Sequence, residues 1–378
     1  MDTVYSQKNN CCGCSLCEYV CPKNAIKMVT DNGFVYPEID NELCVDCKKC
    51  QKLCPIIKNC GQNAQQKCYA ARHKDKSVIN ASSSGGVFTA LSDYILNKNG
   101  VIFGAAFTDE MKLVHTTAET PEERDKMRGS KYIQSNCTGI YAKIDSELAK
   151  NRPVLFCGTP CQVGAVRNAF PDRKNLYLAD IICHGVPTPL VWEKFVDFIE
   201  SKYGQKLSDY KFRNKENGWR TYSALAQFKN GKTMRENNFT GSYIELFRYD
   251  VCIRSSCTVC PYASTSRPGD ITIGDFWGIE NIFPDIDDNK GVSAVICNNE
   301  KGAKLLDSVK DSLELYQCDI GDISAKQPNM SKPSKPSVKA EAFMHDLNNM
   351  PFDSVLRKYT RVGIRQRTVD IAKKILRK

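Results

Sequence analysis

Two copies of Cys-x-x-Cys-x-x-Cys-x-x-x-Cys-Pro lie 33 residues apart near the start of this 378-residue chain, as Cys11-Cys14-Cys17-Cys21-Pro22 and Cys44-Cys47-Cys50-Cys54-Pro55. Eight thiolates at that spacing hold two cubane iron–sulfur clusters, and the fourth cysteine of each run serves the cluster of the other. The spacing therefore predicts one set made of Cys11, Cys14, Cys17 and Cys54, and a second made of Cys44, Cys47, Cys50 and Cys21. Three closely spaced cysteines wrap a loop round one face of a cube, and the following proline turns the chain away. Cys-x-x-Cys pairs also bind zinc, but a zinc ribbon has no use for the third cysteine of each run or for two Cys-Pro ends. The expected chemistry is single-electron transfer.

The rest of the composition sets limits. Hydrophobic residues at 42% and charged residues at 25% are ordinary for a soluble globular protein, and the length allows two or three domains. The segment Met1–Asn10 is polar and no apolar stretch approaches a membrane span, so neither a signal peptide nor a transmembrane helix is expected. Twenty cysteines without an export signal point to metal ligation in the reducing cytoplasm. The formal charge of +10 is concentrated at the end: residues 326–378 carry thirteen Lys/Arg against four Asp/Glu, whereas residues 1–60 balance at seven each. With no basic, aromatic face in the middle of the chain, nucleic-acid binding is not expected.

Residues 1–60 form a two-cluster ferredoxin-like domain, and Gly61–Lys67 reads as a polar linker. From 68 to 320, short apolar runs (Val101–Phe107, Val154–Phe156, Leu176–Ile182, Ile271–Ile273, Val292–Ile296) alternate with amphipathic segments (Val87–Leu96, Thr188–Tyr203, Lys301–Leu313). That alternation predicts an α/β or mixed α+β body. Gln327–Lys339, rich in Pro, Ser and Lys, reads as a linker to a basic helical tail over the remainder of 327–378. In the tail, Ile364, Thr368, Ile371, Ala372 and Ile375 share one helical side amid Arg and Lys. Such a helix can lie on an anionic membrane or dock a partner, but packing weakly on its own domain is the simpler expectation.

Four of the other cysteines have suggestive settings: Cys161 in Cys-Gly-Thr-Pro-Cys-Gln, Cys183 in Ile-Ile-Cys-His-Gly-Val-Pro, and the pair in Cys257-Thr-Val-Cys260-Pro. Cys252 competes, because Cys252-x4-Cys257-x2-Cys260 mimics the plant-type spacing. The stretches Ser82–Leu96, Gly129–Ser135, Phe156–Gln162, Ile182–Pro189, Ser255–Tyr262 and Asp270–Ile279 contain these segments in one order. Together with the N-terminal runs they resemble the family of coenzyme F420 (deazaflavin) hydrogenase and dehydrogenase beta subunits, over about residues 1 to 320. The resemblance implies a flavin, usually FAD, beside a third four-iron cluster held by Cys161, Cys183, Cys257 and Cys260. Cys252 then becomes a spare thiol.

The residues themselves add to the flavin expectation. Ser84, Gly85 and Gly86 precede the helical segment Val87–Leu96, where serine can cap and glycine lets backbone N–H groups approach a phosphate, although the same pattern also makes a plain helix cap. Ser130, Lys131 and Tyr132 offer a hydroxyl, a cation and a stacking ring, or a surface turn. Thr159 enters a helix after a buried strand, where ligands gather in open α/β sheets. Asp275 follows another strand and can equally serve as a turn or cap. No residue is assigned as catalytic. His184, beside Cys183, is read as structural. Cys12, Cys60, Cys68, Cys137, Cys157, Cys252, Cys297 and Cys318 are read as small buried hydrophobes. Trp192 is assigned to a helix's apolar face, while Trp219 and Trp277 could pack beside a flavin or fill core.

A flavin exchanges hydride with organic molecules and single electrons with clusters. The expected protein is thus an iron–sulfur flavin oxidoreductase working between a ferredoxin-like carrier or partner redox subunit and a small organic substrate or deazaflavin-type coenzyme. Two other readings stay open: a non-catalytic electron-transfer subunit, and a regulatory redox sensor.

Overall fold

The 33-residue repeat is visible in the backbone. In the computed structural model, which describes residues 4–5, 7–61, 66–237 and 239–362, short helices Leu16–Val20 and Lys49–Leu53 occupy equivalent places in the two cysteine runs. Each is entered through a left-handed residue, Ser15 (φ 63°) or Lys48 (φ 58°), and two residues earlier Gly13 (φ 65°) and Asp46 (φ 50°) are left-handed as well. Successive N–H groups turned inward by such alternation form the concavities that receive anions and iron–sulfur groups. Between the runs lies the hairpin β1 (Ile26–Asp31) and β2 (Phe34–Ile39), closed by Asn32-Gly33 with φ 50° and 79°. Positive φ at both central positions is what the tight hairpin turn demands, and Asn-Gly supplies it cheaply.

The body is built on one eight-stranded sheet with a parallel middle: β4 (Val101–Phe107), β6 (Val154–Gly158), β7 (Leu176–Ile181) and β11 (Ile271–Asp275). Antiparallel strands flank it: β5 (Leu113–Ala118) on one side, and β12 (Ser293–Cys297), β3 (Lys67–His73) and β13 (Leu313–Cys318) on the other. The strand order is β13-β3-β12-β11-β7-β6-β4-β5. The parallel strands are near-continuous apolar runs because helices cover both faces. A second, three-stranded sheet holds β8 (Leu207–Lys211), β9 (Leu225–Phe228) and β10 (Thr233–Arg235), with β9 in the centre. It closes over the helix Pro189–Tyr203 in an aromatic core with Trp192, Phe195, Tyr210, Phe212 and Tyr243. Trp192 also donates its indole N–H to the Met111 carbonyl.

Two boundaries differ from the sequence expectation. The Pro- and Ser-rich segment expected as a linker is bound to the body: Gln327 donates to the Asp275 carbonyl and Ser334 to the His184 carbonyl. Helices Ala340–Asn349 and Phe352–Tyr359 then bury Phe343, Leu347, Val355 and Leu356 in the aromatic core. Composition misled here, because a few side chains aimed inward suffice to pin a polar stretch. The basic helix expected over Ile364–Lys378 lies outside the described residues. Among the described residues, no helix is long and apolar enough to cross a membrane.

Candidate redox site

The eight N-terminal thiols sort into two sets, crossing between the runs. Cys11, Cys14, Cys17 and Cys54 line one cavity of about 240 Å³, with Leu16, Pro55 and Ile56 among its apolar walls. A water needs about 15 Å³ on such a measure, so the space has room for a group much larger than a single ion. Among the described residues no three His, Cys, Asp or Glu side chains close tightly enough for a single metal ion. Burial pushes the Cys54 thiol up to about 11, with the charges of Cys14 and Cys11 adding to it. Cys21, Cys44, Cys47 and Cys50 line a smaller cavity with Val45, Lys23 and Lys48. This set faces outward: Cys47 is exposed, and Leu43 and Val45 are 50% and 59% exposed.

Three separate segments bring four more thiols together. Cys161 sits in the first turn of the helix Pro160–Ala169, Cys183 follows β7, and Cys257 and Cys260 lie on and just after the single turn Ser255–Val259. Burial pushes Cys183 well up, and the charges of Cys257, Cys161 and Cys260 push it further. Burial likewise lifts Cys257 to about 12 and Cys260 to about 11, each also sensing Cys161. Cys252 lies apart in the aromatic core, where its charged neighbour is Asp250. Cys12 joins the first and third sets. Its buried thiol donates toward Cys14 and Cys161, which lowers both and raises Cys12 itself.

The N-terminal module is set into the body. Tyr141 donates to the Cys14 carbonyl (2.7 Å), Gln134 to Cys12 (2.8 Å) and Tyr262 to Pro55 (2.8 Å). Leu16 and Val20 share a core cluster with Tyr141, Ile144, Val163 and Phe170.

A polar network fixes the helix that carries Cys161. His115, 7% exposed and stacked on Phe156, donates from Nε2 to the Cys157 carbonyl (3.1 Å) and accepts at Nδ1 from Ser135 (2.8 Å). Ser135 accepts from the Gln162 amide (2.9 Å), whose Oε1 takes the Thr159 N–H and hydroxyl, both at 3.0 Å. Burial holds the His115 pKa at about 4, below the ordinary 6.5. The folded chain therefore binds fewer protons at this site than the unfolded chain between pH 4 and 6.5. The stabilisation is full above pH 6.5 and is lost as pH falls through that window, by about 2 kcal/mol at pH 5. His115→Gln is expected to flatten this pH dependence. Denaturation midpoints of both chains at pH 7 and pH 5 check it, and equal slopes would refute the assignment.

The residues expected at a flavin fall at the carboxyl ends of the parallel strands and on loops beside them, where open α/β sheets receive ligands. Gly86 (φ 91°) opens the helix Val87–Leu96, but no serine side chain caps it. Ser84 donates instead to the Val292 carbonyl (2.7 Å), and the Gly85 N–H to the Ser293 hydroxyl (2.9 Å). An added Cβ at Gly85 would stand 2.3 Å from the Ala71 carbonyl, so close strand packing already accounts for this glycine. Ser130 donates to the Ser83 hydroxyl through its N–H (2.6 Å) and its own hydroxyl (3.0 Å), tying the two loops together. Lys131 turns back on the carbonyls of Arg128 and Gly129, and burial lowers it to about 8. Tyr132 stacks on Phe247 at 4.6 Å. Thr159 caps its helix and lies 3.3 Å from the Cys161 sulfur.

Asp275 pairs with Arg213 (2.9 Å) and accepts from the Trp219 indole (3.4 Å). Trp219 stacks on Trp277 at 4.8 Å, and the Arg213 guanidinium lies over Tyr222 (4.6 Å) and Trp277 (5.3 Å). Among the described residues, the buried Nε of Arg213 has no partner. Lys215 reaches the Ser84 carbonyl (3.1 Å), linking this group to the loop before the helix. Sequence reasoning missed Arg213 and Tyr222, which sit in irregular chain, and Lys215, which opens the single 3₁₀ turn Lys215–Asn217; none carries a periodic signal. His184 bonds Asp250 (2.6 Å) and Asn329 (3.2 Å), with its ring edge against Phe247.

Comparison with known proteins bears on the same segments. Residues 10–56 match the 4Fe-4S dicluster domain. Residues 68–140 and 151–322 match, in order, the N-terminal and C-terminal parts of the coenzyme F420 hydrogenase/dehydrogenase beta subunit. The chain belongs to that family. A subunit of the F(420)H(2) dehydrogenase of Methanosarcina mazei is 24% identical to it over 176 residues, 43% of this chain and 49% of that protein. The chain thus spans about half the length of that curated relative. The ferredoxin-like protein in the nif region of Rhizobium leguminosarum bv. trifolii is 37% identical over 54 residues, 14% of this chain and 84% of its own. A solved structure of the F420-reducing [NiFe] hydrogenase complex of Methanosarcina barkeri, a xenon derivative, aligns over 83% of this chain and 94% of its own at TM-score 0.47 and 16% identity. This member of the family is an iron–sulfur protein related to subunits of redox enzymes.

Proposed function

We propose that the chain is an iron–sulfur flavoprotein oxidoreductase that exchanges electrons between a one-electron carrier and an organic substrate or deazaflavin-type coenzyme. The cluster ligands are Cys11, Cys14, Cys17 and Cys54; Cys44, Cys47, Cys50 and Cys21; and Cys161, Cys183, Cys257 and Cys260. When bound, such clusters supply one-electron transfer and a flavin supplies hydride exchange. The observation that carries this reading is the continuity of the cysteine sets. The exposed Cys47 marks one end, Cys12 links the first set to the third, and Cys183 leads through His184 and Phe247 to Tyr132. Beyond Tyr132 stand Arg213, Asp275, Tyr222 and Trp277, charged and aromatic groups able to orient a planar anionic ring. On this reading Gly86, Ser130, Lys131 and Thr159 border the flavin, and Ser84 and Gly85 shape the loop behind it.

The isolated chain, prepared without oxygen, should contain about twelve iron atoms and one flavin, from three four-iron clusters. A count near eight iron would remove the third set, and a chain that takes up no flavin would remove the hydride chemistry. A second reading follows from the relationship with the M. mazei protein: a relay that passes electrons to a partner and has no organic substrate. Reduction of an organic acceptor by the isolated chain excludes that reading; activity appearing only with a partner supports it.

A further inference from the structure

Arg254 is 1% exposed, at the seam between the cysteine loops and the body. Its Nε donates to the Cys11 carbonyl (2.6 Å), Nη1 to Gln134 Oε1 (2.9 Å) and Nη2 to the Val35 carbonyl (2.8 Å). The guanidinium lies over the rings of Tyr36 (4.3 Å) and Phe34 (5.0 Å). Gly13, left-handed at φ 65°, leaves room for it, since an added Cβ would stand 2.7 Å from Nη1. Gln134 in turn donates to the Cys12 carbonyl.

Among the described residues, Arg254 has no ion pair with a carboxylate. Burying a guanidinium without a counter-charge is costly, and the neutral contacts offset only part of that cost. The residue joins the first set to the third: its Nε holds the Cys11 carbonyl, and its own carbonyl accepts the Cys257 N–H (2.9 Å). The second set lines a separate cavity with Lys23, Val45 and Lys48, and Arg254 is not among its lining residues.

We propose that Arg254 is a positioning residue that keeps a permanent positive charge between the first and third cysteine sets and thereby raises the reduction potentials of both, leaving the second set untouched. Four-thiolate clusters gain negative charge on reduction, so a fixed cation nearby favours the reduced form, while local net charge and hydrogen bonding set the potential. The inference rests on the three-cluster reading above.

The test uses the full-length chain, loaded without oxygen and titrated potentiometrically with electron paramagnetic resonance detection. Arg254→Gln should lower two of the three midpoint potentials, so that the reduced-to-oxidised ratio at fixed potential falls at least tenfold, ~59 mV for one electron. Arg254→Lys should restore most of the shift. Gln134→Glu, which neutralises the guanidinium without removing it, should lower the same two potentials and decides the matter if Arg254→Gln does not retain iron. Three unchanged potentials, or three equal shifts, overturn the proposal. A wild-type chain with iron for fewer than three clusters overturns the underlying reading instead, and the iron count reveals this before any potential is measured.

Discussion

Cys54→Ala, prepared without oxygen, is expected to lose the cluster of the Cys11 loop and keep that of the Cys44 loop, although Cys54 belongs in sequence to the second run. The reason lies in the cavity walls. Cys54 lines the same cavity as Cys11, Cys14 and Cys17, and Cys21 lines the one with Cys44, Cys47 and Cys50. The helices Leu16–Val20 and Lys49–Leu53 each lead from the third cysteine of a run to the fourth, which lines the other run's cavity. Iron should fall by about four atoms of about twelve. Cys21→Ala should remove the same amount but eliminate the other cluster. Because the first set lies in the seam beside Arg254 and the second faces solvent, the two variants should leave different paramagnetic signals. If Cys54→Ala abolished the outward-facing cluster, the crossed assignment would be wrong.

Much of this architecture was legible because strong local signals agreed with the global fold. The apolar run Val101–Phe107 and the amphipathic segment Val87–Leu96 are a strand and a helix at those bounds. Both have periodicities that tertiary packing reinforces. The antiparallel strands β3, β5 and β13 were not legible, since Lys67–His73, Leu113–Ala118 and Leu313–Cys318 mix polar and apolar residues in patterns that flanking strands tolerate. Lys301–Leu313, read as one helix, ends at Asp307 and passes through a tight turn into β13. Site residues followed the same division. The eight N-terminal thiols proposed as ligands are dense in sequence, so spacing alone sorts them. The other four thiols converge from segments up to about a hundred residues apart, and there only the motif resemblance singled them out. The residues that hold those segments together, Gln134, Arg254, Arg267 and Asp180, leave no trace in any periodicity. A buried charge is known only by the fold that encloses it.

Asp180 and Arg267 make the strongest case for such hidden support, and breaking them should have the largest effect on the body. Asp180 on β7 is fully buried, and Arg267 is 1% exposed. The guanidinium donates to Asp180 Oδ1 from Nε (3.0 Å) and Nη2 (2.6 Å), while the carboxylate also accepts from the Gly269 N–H (2.8 Å) and the Thr272 hydroxyl (3.1 Å). Arg267 reaches on to the carbonyls of Ile181 (2.7 Å) and Tyr262 (2.9 Å). The pair therefore clamps the strand end before Cys183 to the loop after Cys260. Burial pushes the Asp180 carboxyl up against the pull of Arg267, as expected for charges removed from water. Asp180→Ala strands the guanidinium in the core and should destabilise the chain by about 3–5 kcal/mol in denaturant unfolding. Iron at the third set should be lost before iron at the N-terminal sets. Adding Arg267→Met removes the orphaned charge, so the double variant should regain part of the stability without regaining the third set's iron, because the clamp is still absent. A single variant as stable as wild type, or a double variant with full iron, would show that the clamp does not hold the site.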